Sequence, residues 1–223
     1  MRKLADDLWL VDGFPRNAIN CFVSGGVLFD AAARWNAGSI RRQIANRDVH
    51  SIALTHVHPD HQGSVHQLCS ELGLRLLCPA GEVDYMDGTR LMPAAGRLGR
   101  IMRGLASGPP HPVDTALVEG DRVGDWRVVD TPGHTPGHVI YVRDRDRTVI
   151  AGDVLNNMHL VTMAPGLREP PAALTLDPAQ NRLSILRLAA LDPVLTVFGH
   201  GAEEHGAAGI RRLAESLAVP RDR

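Results

Sequence analysis

At 223 residues, 44% apolar and 22% charged, the chain has room for a sizeable core and the composition of an ordinary globular protein. A net charge of −1 leaves no electrostatic footprint for nucleic acid or an anionic membrane. No stretch approaches about 20 apolar residues, and MRKLADDLWLVDG lacks a signal peptide's apolar centre, so a cytoplasmic protein without a membrane segment is expected.

In chain order, residues 8–12, 19–23 and 27–30 are short apolar runs separated by Gly, Pro and Asn, which predicts a meander of hairpins. A helix is expected over about 38–46, where Ile40 and Ile44 stand four apart. The strand 51–55 leads into THVHPDHQG, and a helix over 61–72 then places Val65, Leu68, Cys69 and Leu72 on one face. With the strand 74–78 this makes a strand–helix–strand unit.

Residues 85–113 read as an insertion. Leu91, Leu98, Ile101, Met102 and Leu105 form an apolar stripe, while Arg97, Arg100 and Arg103 recur at three-residue spacing, as on a solvated helix face. Strands are expected at 126–130, 138–142 and 148–151, followed by a long loop. A helix over 178–191, a strand over 194–198 and a last helix carrying Ile210, Leu213, Ala214 and Leu217 complete the chain. Cys21, Cys69 and Cys78 follow no metal or redox spacing and read as small buried hydrophobes.

Histidine is the compositional outlier, at 11 residues. His56, His58, Asp60 and His61 follow directly on an apolar strand, and imidazole nitrogen with carboxylate oxygen is the usual donor set for zinc and its neighbours. In an extended loop His56 and His58 point one way, while Asp60 and His61 open the next element, so one loop can feed two metals. His134, Asp153 and His200 each sit just past another apolar run. His50, His66 and His111 carry no pattern; His159 and His205 lie in loops near these residues.

As a set, THVHPDH, TPGHTPGH, GDVL and GHG resemble the metallo-β-lactamase-fold superfamily, over nearly the whole chain. The resemblance implies an α/β protein: a four-layer αβ/βα sandwich of two mixed β-sheets flanked by helices, as one domain over 1–223 with a helical insertion near 85–113. It implies one metal on His56, His58 and His134, and a second on Asp60, His61 and His200, with Asp153 bridging them. Asp30 falls where the family keeps an acidic residue that braces the histidine loop, and His138 is expected to pack or hydrogen-bond beside the site. The cofactors are then two divalent ions, Zn foremost with Fe or Mn also suited, about 3.5–4 Å apart and sharing a water whose pKa falls towards about 7. The resulting hydroxide attacks a carbonyl carbon, with Asp60 as the catalytic group that orients the water and moves its proton.

Details narrow the branch. Asp153 stands where β-lactamases of the main zinc class carry Cys, and His58 where flavodiiron oxygen reductases carry Glu. The motifs look most like glyoxalase II, whose C-terminal helical domain has no counterpart in these 223 residues, so a related thioesterase, esterase or lactonase acting on a small acyl substrate is expected. The alternative is a mononuclear iron persulfide dioxygenase on His56, His134 and Asp153; that family has a Cys where this chain has His138. Apart from Met1, the methionines fall in two segments, Met86, Met92 and Met102, then Met158 and Met163. They read either as ordinary core fillers or as an apolar wall over the metals, the second with Met92 and Met163 as substrate contacts and Tyr85 or His159 as polar ones. Oligomeric state is left open.

Overall fold

Alternation along the strands explains how two sheets come to share a core. In the computed structural model, which describes residues 1–13, 15–93, 100–101 and 104–218, the first sheet has its strands in sequence order. They are β1 (Arg2–Ala5), β2 (Leu8–Val11), β3 (Cys21–Ser24), β4 (Val27–Phe29), β5 (Ser51–Ala53), β6 (Arg75–Pro79) and β7 (Thr115–Leu117). Pairing is antiparallel from β1 to β4 and parallel from β4 to β7.

The second sheet contains β8 (Arg122–Val123), β9 (Trp126–Asp130), β10 (Val139–Arg143), β11 (Thr148–Ile150), β14 (Leu195–Val197) and β15 (Glu204–His205). Its order is β15-β14-β11-β10-β9-β8, and only the β11–β14 pair is parallel. A separate hairpin joins β12 (Asn156–Met158) to β13 (Pro165–Arg168).

Period-two patterning then sorts side chains to two faces. Val27, Phe29, Val128, Tyr141 and Ile150 meet between the sheets. Leu28, Ile52 and Leu76 point the other way, onto α1 (Ala37–Ile44) and α3 (Val65–Leu72) through Ile40, Val65 and Leu68. On the far side, Val129, Ile140 and Val149 pack on α5 (Pro178–Ala190) and α6 (Ala208–Ala218) through Ile185, Leu188 and Ile210. The result is four layers, helices–sheet–sheet–helices. An aromatic group ties the sheets: the Phe29 ring lies 5.5 Å from Trp126 and 4.9 Å from Tyr141, both edge-on. Their polar ends are satisfied, Trp126 Nε1 donating to Ser24 Oγ at 3.0 Å and Tyr141 Oη to the Leu54 carbonyl at 2.6 Å.

Several elements depart from the sequence reading. The expected helix over 61–72 is two helices, α2 (Pro59–Gln62) and α3. They are separated by Gly63 and Ser64, and Gly63 packs so tightly that an added Cβ would lie 2.4 Å from the Arg34 nitrogen and 2.6 Å from the Ala106 carbonyl oxygen. The expected long loop after Asp153 instead forms the β12–β13 hairpin. Strands β1, β7 and β15 carry no clear sequence signal, because they are short and partly exposed, with little apolar alternation. In the insertion, α4 (Val83–Met86) is a single turn, and Arg100 is exposed; Arg97, Leu98, Met102 and Arg103 lie outside the described residues. Among the described residues, no helix is long and apolar enough to cross a membrane.

Candidate metal centre

β9 and β11 are each antiparallel to β10, and β14 is parallel to β11, so all three run in one direction. Their C-terminal ends share one edge, and the loops beyond them deliver His134, Asp153 and His200. From the other sheet, the loop after β5 brings His56 and His58, and α2 carries Asp60 and His61 in its first turn. Three overlapping groups of donors form, each with its atoms within 4.8 Å of one another: His56, His58 and His134; His56, His61 and Asp153; Asp60, His61 and His200. The sequence-predicted ligands thus meet in one place. Asp153 stands between the groups. Its Oδ1 is 3.4 Å from His61 Nε2, and its Oδ2 is 3.6 Å from His134 Nε2 and 3.1 Å from His200 Nε2. Gly199 permits this convergence, since a Cβ there would lie 2.2 Å from Asp153 Oδ1.

The outer nitrogens set which way each ring faces. The Thr55 hydroxyl donates to Asp30 Oδ2 at 2.9 Å, so its oxygen is left to accept from His56 Nδ1 at 3.0 Å. The Thr175 hydroxyl donates to the Pro171 carbonyl and likewise faces His134 Nδ1 at 3.2 Å. His61 Nδ1 lies 2.9 Å from Asp30 Oδ2, and His200 Nδ1 is tied to the Ala18 carbonyl. Each ring therefore turns Nε2 inward. The Nε2 atoms of His56, His61 and His134 and Oδ1 of Asp153 are buried without a hydrogen-bond partner among the described residues. Such groups cost on the order of 1–3 kcal/mol each when left unpaired. Convergent N and O donors of this kind fit a divalent cation of the zinc type.

Charge divides the site in two. Burial holds His56 and His134 well below the usual imidazole range and pushes His58 down to about 4, so this group is neutral, as ligand histidines must be. Burial also opposes charge on His61 and His200, but Asp153 outweighs it, helped by Asp30 at His61 and by Asp60 at His200. His61 is raised well above its usual value, and His200 rises to about 10. Asp60 and Asp153 are lowered in turn: burial opposes this, and His200 and His61 prevail. A cation among Asp60, His61 and His200 would take the place of their protons.

Bracing residues complete the frame. Asp30 takes a positive φ of 59° at the end of β4 and accepts from Thr55 N–H at 2.8 Å as well as facing His61. His138 Nε2 accepts from Asp153 N–H at 3.0 Å while its Nδ1 faces Thr131 Oγ1 at 2.8 Å, so its nitrogens are spent on holding Asp153. Two braces carry no sequence signal. Glu82, fully buried and pushed up to about 7 by burial, accepts from Val57 N–H at 2.7 Å and Gly137 N–H at 3.0 Å. One carboxylate thereby ties the His56–His58 loop to the His134 loop. Asn20 Nδ2 donates to the Phe198 and Gly201 carbonyls at 2.9 and 2.8 Å, gripping the His200 loop from both sides.

A cavity of about 600 Å³ opens onto the cluster, with His58, Asp60, His134, Asp153 and His200 in its floor. Tyr85, Met86 and Met92 line it. The second predicted segment behaves differently. Leu160 and Val161 reach the cavity, whereas His159 and Met163 are not among its lining residues. His159 is exposed and its Nδ1 accepts from Val161 N–H at 3.2 Å and Thr162 N–H at 3.1 Å, closing its own turn. Met163 stands in the same turn at φ 60° with 39% of its surface exposed. The β12–β13 hairpin fixes this turn where the sequence predicts a loop, and it keeps both side chains out of the cavity lining. His205 lies on edge strand β15, exposed.

The Metallo-beta-lactamase superfamily profile matches residues 16–200, the span that holds every donor described above. The chain belongs to the metallo-beta-lactamase superfamily. Within it, a Bacillus subtilis (strain 168) protein described as "probable metallo-hydrolase YflN" is 32% identical over 197 residues, 78% of this chain and 75% of that one. A hydroxyacylglutathione hydrolase from Acidiphilium cryptum (strain JF-5) is 33% identical over 150 residues, 67% of this chain but 49% of the relative, so the chain spans about half that enzyme's length. Among solved structures, TTHA1623 in a di-iron-bound form superposes with a TM-score of 0.64 at 26% identity, covering 92% of each chain.

Proposed function

We propose that this member of the superfamily is a hydrolase of esters, thioesters or lactones that works with two divalent ions. His56, His58 and His134 would hold one ion and Asp60, His61 and His200 the other, with Asp153 reaching both. The observation that carries this reading is the position of Asp153, whose oxygens face His134 of one group and His61 and His200 of the other. Zn, Fe and Mn all suit these donors. When bound, such ions supply Lewis acidity towards a carbonyl oxygen and an ionised water at neutral pH.

The chain's own groups do the rest. Asp60 lies at the cavity floor, with Oδ2 3.2 Å from His200 Nε2, where it can orient a water and hold its proton. The apolar wall through Ile19, Val57, Met92 and Leu174 excludes water and binds an acyl chain. The hydroxyacylglutathione hydrolase relative supports acyl-thioester chemistry, and the di-iron structure supports a two-metal site. The chain would work as one catalytic unit, because residues from Ala18 to His200 meet in the site.

The deciding measurement is metal analysis of protein purified without chelator, followed by a panel of thioesters, aryl esters and lactones. Two ions per chain with metal-dependent hydrolysis is the expected result. One iron per chain with oxygen uptake on a persulfide would replace this reading by the mononuclear dioxygenase. Loaded protein that turns over no carbonyl substrate would overturn it outright.

A further inference from the structure

Asn156 is fully buried on β12, yet neither its Oδ1 nor its Nδ2 has a hydrogen-bond partner among the described residues. It lines the cavity together with His134, Asp153 and His200. The backbone around it is held firmly. Asn157 N–H donates to the His200 carbonyl at 2.9 Å, Asn181 Nδ2 donates to the Val154 carbonyl at 3.1 Å, and Asn156 itself pairs with Arg168 across the hairpin. The carboxamide is therefore positioned by its strand and not by bonds of its own. Asn20, equally buried, shows the ordinary arrangement, with its Nδ2 spent on two carbonyls. A buried carboxamide with donor and acceptor both unpaired is costly, and native proteins rarely keep one without a ligand or water to meet it. Gln62 Oε1, in the same cavity wall, is a second buried acceptor without a partner among the described residues. The rest of the wall is largely apolar.

Building on the proposed hydrolase activity, we propose that Asn156 is the residue by which this cavity recognises its substrate. The substrate is an acyl compound that carries an N–H or O–H donor on the carbon beside its scissile carbonyl. Nδ2 of Asn156 donates to the carbonyl oxygen, and Oδ1 accepts from the neighbouring donor. A planar carboxamide offers the two side by side, so the pairing does not depend on which way the amide is turned. An acyl chain without that donor leaves Oδ1 buried and unpaired, and it is selected against for that reason.

The test is a matched pair of thioesters, 2-acetamidohexanoyl and hexanoyl, assayed with metal-loaded wild type and Asn156→Leu. The variant keeps its metal ligands, so a preference that came from the acetamido carbonyl on an ion survives in Asn156→Leu, whereas one that came from Asn156 does not. Wild type is expected to prefer the acetamido compound by roughly 10- to 100-fold in kcat/KM. In Asn156→Leu both rates fall and the ratio moves to near one, with metal content per chain unchanged. A ratio that survives in Asn156→Leu overturns the assignment, as does a wild type that hydrolyses both compounds equally. Should Asn156→Leu fail to fold, Asn156→Ser carries the same comparison. If loaded wild type hydrolyses neither of these nor any ester or lactone of the panel, the hydrolase reading falls by itself. Calorimetry with 2-acetamidohexanamide and hexanamide then decides the role of Asn156: tighter binding of the first that is lost in Asn156→Leu supports it, and equal binding overturns it.

Discussion

The donor-lined floor of the cavity and its apolar wall are built on opposite plans. On the floor, His56, His134, His61 and His200 each have the outer ring nitrogen tied to a hydroxyl, carboxylate or carbonyl, and Asp153 is held through its N–H by His138. In the wall, Met92 lies outside any helix or strand and Leu160 in the turn between β12 and β13, and Leu91 and Val161 expose 80% and 85% of their surface while lining the cavity. Directional chemistry needs side chains locked by backbone and neighbours. Apolar binding needs only surface and tolerates movement. One site can therefore keep its reaction while its wall changes.

The sharpest way to break the comparison is to remove a floor ligand. His134→Ala is expected to strip metal from the three-histidine group and to lower kcat/KM by on the order of 10³-fold or more, read by metal analysis and steady-state kinetics. Full metal content and turnover in that variant would mean the floor is not where the chemistry happens. Next in size is a brace. Glu82→Ala leaves the buried N–H groups of Val57 and Gly137 without an acceptor, which costs roughly 2–5 kcal/mol in urea unfolding and loosens two ligand loops at once. Unchanged stability and metal affinity would remove Glu82 from the frame.

Acid sharpens the comparison within the floor itself. His200 is raised to about 10, so at neutral pH a cation at Asp60, His61 and His200 must displace a proton. Affinity there should fall at least about tenfold per pH unit on acidification from pH 8 to 6, since each such step raises proton competition tenfold. His56, His58 and His134 are shifted downward, His58 to about 4, so the other group keeps its affinity over the same interval. Chelator competition at pH 8, 7 and 6 should show one ion leaving before the other; simultaneous loss would contradict the division. The smallest effects belong to the wall. Met92→Ser should cost roughly tenfold in kcat/KM for a hexanoyl substrate and little for an acetyl one. His159→Ala, outside the cavity lining, should change rates by less than about twofold.

The donors were legible because they are local. His56, His58, Asp60 and His61 lie within one short stretch of chain, and His134, Asp153 and His200 each follow an apolar strand, so residue type and position point to a metal before any fold is known. The strand at 126–130 was legible as a short apolar run just before the TPGH loop. Glu82 and Asn20 were not, since Glu82 bonds residues 25 and 55 positions away and Asn20 bonds carbonyls 178 and 181 positions away. A lone Glu or Asn carries no period.

What the chain order alone determined, then, was the kind of chemistry: nitrogen and oxygen donors, their order along the chain, and the strands that carry them. The family resemblance already implied the two donor groups with Asp153 between them; only the tertiary structure decided the distances at which they meet, the braces that hold them, and which polar side chains are left unpaired in the cavity. Asn156 shows why. Its sequence context is a strand end like others in this protein, and its distinction is an absence of partners among the described residues, which depends on every neighbour that might have supplied one. Burial and satisfaction are properties of the packed molecule, because they exist only once distant segments have closed around the side chain.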